Sequence, residues 1–312
     1  MIINLKRNLR AYSDFIVKTE KQEHSLHNRK EEVELSNRKT VQPSPGGSQL
    51  RFWCLAKNME VAFTEKDFYA EHFVPKDYLE NYYSFSPGKD GANTLLRFSL
   101  DNLHQAFGAG GIKGDTLIDI GTGPTIYQFL SACESFREII ATDYADQNRE
   151  ELQRWLKRDP DAFDWTPVVK YVCELEGDRE KRAEKENKVR SRAIRQVLKC
   201  DVTQPEPLAP QAVPPADCLL SLLCLEGACK DLPPYHSALK NISSLVKPGG
   251  HLVLYTILDE TFYMVGQRPF SCLYLRQEDV EEAVKEARFA IQKKEVELSN
   301  RKPYSQVQEG VS

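Results

Sequence analysis

The 312-residue chain is 41% hydrophobic and 10% aromatic, enough for a sizeable core in one large domain or two small ones. Its net charge of −4 gives no overall pull toward nucleic acid or an anionic membrane, so neither is expected as a partner. The eight cysteines (54, 133, 173, 200, 218, 224, 229 and 272) include no Cys-x-x-Cys pair and no histidine at metal spacing. That pattern argues against a disulfide framework and against a metal site.

No apolar run approaches the ~18 residues of a membrane span. Met1 to Lys21 mixes Lys6, Arg7, Arg10, Asp14 and Lys18 among its apolar residues and lacks a signal-peptide core. A cytoplasmic, monomeric protein is expected. Residues 1–60 read as a low-complexity, disordered extension without a catalytic role. They are rich in Lys, Arg, Glu, Asn and Ser, and pass through the linker-like Pro43-Ser44-Pro45-Gly46-Gly47. Within them, Glu32 to Lys39 recurs letter for letter as Glu295 to Lys302, outside any solenoid period.

From Phe63 to about Ala287 the chain alternates strand and helix in a parallel α/β rhythm, which places one domain over 61–290 and a polar tail over 291–312. Leu95, Leu96, Phe98, Leu103 and Phe107 form the apolar stripe of a helix over 94–107. A strand over 116–121 leads through Gly121, Gly123 and Pro124 into a helix carrying Ile126, Tyr127, Phe129 and Leu130. A second strand, 138–142, ends at Asp143, and a helix over 147–157 follows. Residues 174–197 are heavily charged and read as an exposed helix. Strands near 197–200 and over 218–223, a helix over 235–246, a Lys247-Pro248-Gly249-Gly250 stop, a fifth strand over 251–257 and a helix over 277–288 complete the series.

The informative motif is Asp115-Thr-Leu-Ile-Asp119-Ile-Gly121-Thr-Gly123-Pro124. Glycines at a strand-to-helix turn let backbone approach a ligand, and a following helix start offers free N–H groups. A dinucleotide fold keeps carboxylates out of this turn, because they would repel a pyrophosphate. Asp119 instead suits a ligand with a cationic or hydroxyl-bearing end, and S-adenosylmethionine, with its amino group and sulfonium, is such a ligand. Asp143, 24 positions on, is placed to accept from ribose hydroxyls, and Asp201 from an adenine amino group with Val202 packed on the ring. Upstream, Tyr78 and Tyr82 stand four apart on one helix face, with Tyr83 beside them. Aromatic faces attract a sulfonium by ~0.5–2 kcal/mol per contact and exclude water.

At these residues the chain resembles the family of small-molecule N-methyltransferases that act on nicotinamide, indolethylamines and phenylethanolamines. The resemblance is carried by Phe63-Thr64-x-x-Asp67, His72-Phe73, Asp77-Tyr78-Leu79, Tyr82-Tyr83 and the run Gly114 to Gln128. It continues through Ser131 to Phe136, Thr142-Asp143-Tyr144, Asp146-Gln147-Asn148 and Ala162 to Trp165. Leu198 to Val202, Pro215 to Cys218 and Lys247 to Gly250 complete it, so that it spans residues 62–288.

The resemblance implies a Rossmann-like class I methyltransferase fold, a mostly parallel central sheet with helices on both faces. It implies an S-adenosylmethionine cofactor and in-line methyl transfer to a nitrogen of a small pyridine or aryl-alkylamine. Beyond Asp119, Gly121 and Gly123, cofactor contacts then fall on Tyr78, Tyr83, Tyr127, Asp143, Asn148, Asp201, Val202 and Leu222. Tyr78, Glu226 and Glu260 become the catalytic candidates. The substrate would meet Tyr82, Leu223, Thr256, Asp259, Tyr263 and Cys272. Thr256 stands where the nicotinamide type has a carboxamide-binding aspartate, and Cys272 where it has a serine.

The family closes its sheet with a C-terminal strand pair. Here the tail after Ala290 is expected to supply at most one strand, around Glu295 to Leu298, leaving the pair incomplete and the fifth strand's edge partly unpaired. Tyr304-Ser305 resembles a Tyr-Ser of the family. Two rival readings follow. One is a cofactor-binding pseudoenzyme or interaction protein. The other is a nicotinamide-dependent oxidoreductase, disfavoured by Asp119 and by Ile126 at the third glycine position of a dinucleotide motif.

Overall fold

Apolar runs too long to be covered on one side only set the centre of the fold. The computed structural model describes residues 1–7, 62–85 and 94–297. They begin with β1 (Ile2–Arg7), α1 (Lys66–His72), α2 (Pro75–Tyr83), α3 (Thr94–Phe107), β2 (Gly114–Ile120), α4 (Phe129–Ser135) and β3 (Phe136–Asp143). Then come α5 (Asp146–Leu156), α6 (Thr166–Leu175), α7 (Arg182–Lys188), β4 (Ile194–Lys199), β5 (Ala216–Leu222), α8 (Leu225–Ala228) and α9 (Leu232–Ser243). The chain continues through β6 (Val246–Tyr255), β7 (Phe262–Val265), β8 (Arg268–Ser271), α10 (Gln277–Glu286) and β9 (Phe289–Glu295).

Seven strands form one sheet in the order β4-β3-β2-β5-β6-β1-β9, and β7 pairs with β8 in a separate hairpin. The pairs β3–β4, β2–β3, β2–β5 and β5–β6 are parallel. Alternation along each strand sorts side chains between two cores. Leu117, Leu220 and Val253 pack with α3, α5 and α6 on one face. Ile118, Leu219 and Leu252 pack with α9 and α10 on the other. The expected doubly covered, mostly parallel α/β sheet is therefore what forms.

The edge of that sheet departs from expectation. β1 lies antiparallel between β6 and β9, with Ile2 opposite Tyr255 and Glu295, and Lys6 opposite His251 and Ala290. Ile3 and Leu5 are 1% and 0% exposed. The first residues of the chain are thus a buried strand rather than part of a disordered extension, and they occupy the place expected to be vacant. The strand pair is complete and the β6 edge is paired. The signal was available in Met1-Ile2-Ile3-Asn4-Leu5, where apolar residues outweigh the charges that follow. Residues 8–61, with the Pro-Gly linker and the first copy of the octapeptide, lie outside the described residues. So do residues 298–312, including Tyr304-Ser305.

Other boundaries moved for local reasons. The tail strand is Phe289–Glu295, earlier than expected and across the boundary drawn at 290. The charged stretch 174–197 is helical only in its middle: α6 ends at Leu175, Gly177 turns with φ 77°, helical turns run from Arg179 through α7 to Ala193, and β4 starts at Ile194. Lys247 to Gly250 does not stand outside a strand but belongs to β6, whose pairing with β5 shifts register between Ala216 and Cys218.

Replacing Leu5 with Ala should cost about 2–5 kcal/mol of unfolding free energy in urea, the range for truncating a fully buried leucine. A loss below about 0.5 kcal/mol, the surface-substitution range, would show that β1 is not seated in the sheet.

Candidate functional site

Strand β2 ends in a turn that only small residues accommodate. Gly121 and Gly123 have φ of 71° and 61°. A Cβ on Gly121 would run into the Cys224 Sγ, so the turn is pressed against the β5–α8 connection. The expected helix start at Pro124 is not there. Residues 124–128 form turns, and Phe129 N–H donates to the Ile126 carbonyl (3.0 Å) as α4 begins. The turn's amides are spent within the protein instead: Thr122 N–H on the Thr142 carbonyl (2.8 Å), Gly123 N–H on Asp143 Oδ2 (2.7 Å).

Three acids stand at or just beyond neighbouring strand ends. Asp119 is 1% exposed and accepts from Gln128 Nε2 (3.0 Å). Burial pushes its carboxyl up to about 7, against the hydrogen bonds of Gln128 and Thr122. Asp143 accepts Gly123 N–H on one oxygen, and Ala145 N–H (2.9 Å) and Asn148 Nδ2 (3.1 Å) on the other. Burial raises its pKa too, despite these donors. Asp201 follows β4. Burial would raise it, but Thr203 and Lys66 outweigh that and hold its pKa below the ordinary carboxylate range. Lys66 Nζ reaches its Oδ2 at 2.9 Å. Beside it, Val202 is buried.

Aromatic rings close the space above these acids. Tyr78 lies 5.5 Å from Tyr83 and 5.3 Å from Tyr82, and Tyr83 lies 5.3 Å from Tyr127, between ring centroids. The Tyr78 and Tyr83 hydroxyls meet at 3.3 Å. Burial lifts the phenols of Tyr78, Tyr83 and Tyr127 well above their ordinary values, so all three stay neutral. Tyr82 also ties α2 to the β7–β8 hairpin, donating to the Met264 carbonyl (2.8 Å) and accepting from Met264 N–H (3.1 Å).

A further acid lies past β5. Leu223, at φ 55°, turns the chain and donates its N–H to the Tyr255 carbonyl (2.7 Å). Glu226, in α8, is 3% exposed. Its Oε1 accepts Ile257 N–H (3.0 Å), while Oε2 has no hydrogen-bond partner among the described residues. Burial raises its pKa, opposed by hydrogen bonds from its own backbone N–H, Ile257 and Thr256 and by the charge of the Met1 ammonium. Asp259, at φ 60°, is exposed, and Glu260 is half-buried with its pKa raised by burial and then by Asp259. Burial pushes the Cys272 thiol up to about 12.

One cavity of about 1410 Å³ gathers these residues. That exceeds the ~300–1,000 Å³ usual for a single small ligand, leaving room for a nucleoside and a second molecule together. Tyr78, Tyr82, Tyr83, Asp119, Gly121, Gly123 and Tyr127 line it, as do Asp143, Asp201, Val202, Leu222 and Leu223. Glu226, Asp259, Glu260, Tyr263 and Cys272 line it as well.

Two expected site residues do not. Asn148, 0% exposed, sits behind Asp143 and orients it. Thr256, 1% exposed, is enclosed where β6 ends and hydrogen-bonds Glu226. Sequence reasoning missed Met1, Lys66 and Tyr144 on the wall. It also missed the strap to which Lys66 belongs. Gln147 Nε2 donates to the Ala70 carbonyl (2.7 Å), and Thr64 and Ser271 exchange backbone N–H and hydroxyl bonds at 2.7 and 2.8 Å. These ties hold residues 64–73 over the acids. Polar side chains just before α1 and in the first turn of α5 were the available signal.

The donor set suits S-adenosylmethionine. Buried carboxylates and neutral aromatic faces favour a cation, and a pyrophosphate would meet Asp119 and Asp143. Similarity to known proteins agrees. Residues 60–312 match the model of the NNMT/PNMT/TEMT family. The chain is 57% identical over 234 residues to nicotinamide N-methyltransferase of Homo sapiens, covering 75% of this chain and 88% of that protein. It is 53% identical over 234 residues to indolethylamine N-methyltransferase of Oryctolagus cuniculus (75% and 89% covered). To phenylethanolamine N-methyltransferase of Macaca mulatta it is 42% identical over 218 residues (69% and 77%). With its sheet, its strand-end acids and this breadth of identity, the chain belongs to the NNMT/PNMT/TEMT family of N-methyltransferases.

Proposed function

We propose that the chain methylates the nitrogen of a small aryl-alkylamine in preference to a pyridine, with Glu226 as the group that separates the two classes. The observation that carries this reading is the Glu226 carboxylate itself. It is buried on the wall of the same cavity as the tyrosine cage, pinned through Oε1 by Ile257 N–H and, among the described residues, without a hydrogen-bond partner at Oε2. A buried carboxyl group left half-satisfied is costly unless a ligand completes it. An ammonium does so, and the carboxylate can then hold the proton that an alkylamine must lose. Asp259 and Glu260, farther along the wall, add an acidic approach. Thr256 supports the preference, because it is enclosed behind Glu226 and offers no carboxylate to a carboxamide.

S-adenosylmethionine, when bound, supplies an already electrophilic methyl group, so no covalent enzyme intermediate is needed. The chain's own work is binding, alignment and exclusion of water. In this reading Asp119 takes the cationic amino end, Asp143 the ribose hydroxyls, and Asp201 with Val202 the adenine, a reading supported by their common place on the cavity wall. Tyr78, Tyr83 and Tyr127 present uncharged aromatic faces to a sulfonium. Asn148 acts through Asp143, whose carboxylate it holds in place. A cytoplasmic setting fits the free thiols of Cys133, Cys173, Cys200, Cys218 and Cys229, all buried. Among the described residues no helix is long and apolar enough to cross a membrane.

Incubation with labelled methyl donor should put label into tryptamine and phenylethanolamine with kcat/KM about tenfold or more above nicotinamide, a difference of ~1.4 kcal/mol. Preference for nicotinamide would contradict the proposed specificity, and donor binding without transfer to any of the three would favour a pseudoenzyme. Glu226→Gln should lower kcat/KM for the amines by ~30-fold or more and for nicotinamide by less than ~3-fold. Equal losses on both would remove the proposed role.

Asp119 makes a pH prediction. With its carboxyl raised to about 7, it is protonated below that pH when no cation is present. A cationic donor favours the carboxylate, so binding must expel a proton on the acid side. Donor affinity should therefore fall as pH drops below about 7, by up to ~10-fold per pH unit, and level off above it. Calorimetry on Asp119→Asn should show weaker binding with that slope removed. A slope that survives the substitution would assign it to another group.

A further inference from the structure

Among the described residues, the strand added to the sheet edge reaches farther than the edge. Met1 continues the β1–β6 ladder one step beyond the paired strands: the Met1 α-ammonium donates to the Thr256 carbonyl (2.9 Å) and Thr256 N–H to the Met1 carbonyl (3.0 Å). The next residue, Ile257, gives its N–H to Glu226 Oε1 (3.0 Å). Thr256 also hydrogen-bonds Glu226 through its side chain. The Met1 side chain is 5% exposed, packs in the core beneath α9 and α10, and reaches the cavity wall. An unbroken series of backbone hydrogen bonds thus runs from β9 through β1 and the end of β6 to the carboxylate proposed to receive the substrate amine. The acids on the other side of the cavity, Asp119 and Asp143, hang from β2 and β3, which do not touch β1 in the sheet order.

We infer that β1 is a positioning element for the substrate acid: docked between β6 and β9, it fixes the Thr256–Ile257 backbone and so the orientation of Glu226, while leaving the cofactor half independent. This rests on the role proposed for Glu226. A strand that finishes the sheet stabilises it by burying Ile3 and Leu5. The positioning role makes the further demand that loosening β1 disturbs one half of the cavity and not the other. Ile3 is the residue to alter, because it is buried, pairs with Leu254 and Lys294, and does not line the cavity.

The test uses the full-length protein and its Ile3→Ala, Ile3→Asp and Ile3→Val forms. Hydrogen exchange at the Thr256 and Ile257 amides reports the docking without any substrate. Ile3→Ala should speed that exchange by about tenfold or more and raise the KM for tryptamine about tenfold, with the calorimetric Kd for S-adenosylmethionine within ~2-fold of the parent. Ile3→Asp should act in the same direction more strongly, and Ile3→Val should restore both readouts. If Ile3→Asp does not fold, the Ile3→Ala and Ile3→Val pair still decides. Unchanged exchange would mean that β1 does not hold these amides, and faster exchange with unchanged amine KM would mean that it does not position Glu226. Equal loss of donor and amine binding would make β1 a general stabiliser, and each of these results overturns the inference. Failure of the parent protein to methylate any amine is a separate result that would instead overturn the proposed function. The exchange arm would then still decide whether β1 holds the Glu226 segment.

Discussion

The site is governed by the cost of keeping carboxylates out of water with no Lys or Arg hydrogen-bonded to them, the Arg149 guanidinium beside Asp143 being bonded to backbone carbonyls. Asp119 and Asp143 are buried at adjacent strand ends, and the hydrogen bonds that hold their carboxylates come from amides and a hydroxyl rather than from Lys or Arg. Asp143 adds to the reluctance of Asp119 to ionise. Such an arrangement stores a preference for a cation, and the neutral tyrosines above it share that preference. Lys66, the cation nearest to this group of acids along the strap, is taken up by Asp201. The crevice thus stays selective for a charge that arrives with the ligand.

Two halves of one cavity are built on different principles. The cofactor half uses the tips of the parallel strands β2, β3 and β4, where the topology exposes chain ends to a common crevice. The proposed substrate half lies on the turn after β5 and on the end of β6, the strand with which β1 pairs. Loops can vary on a fixed scaffold without disturbing it, and the same separation lets substrate preference change while the cofactor half is kept.

Much of this was legible in the sequence, for identifiable reasons. α3 forms over the residues its apolar stripe marks, because that stripe has a single face to bury. The strand-end acids were readable because Asp119 and Asp143 close strands with apolar centres, Leu117-Ile118 and Ile139-Ile140-Ala141, whereas Asp201 follows the more polar Ile194–Lys199. The helix after Gly123 was misplaced, since Pro124 marks a turn as readily as a first helical turn. Asn148 and Thr256 were assigned to ligands, yet their side chains act on Asp143 and Glu226; a residue's place in a motif does not say which shell of contacts it occupies. β1 was missed because pairing between residues 2–6 and 251–255 is a long-range fact with no local periodicity long enough to announce it.

The central claim is that buried strand-end acids and tyrosine faces hold a sulfonium-bearing nucleoside. A crystal structure of the protein with S-adenosylmethionine tests it most directly. The account requires the amino end within hydrogen-bond reach of Asp119, the ribose on Asp143, the adenine beside Asp201 and Val202, and the sulfonium beneath Tyr78 and Tyr83. A donor seated away from these carboxylates, or one whose charged groups contact none of them, would contradict it.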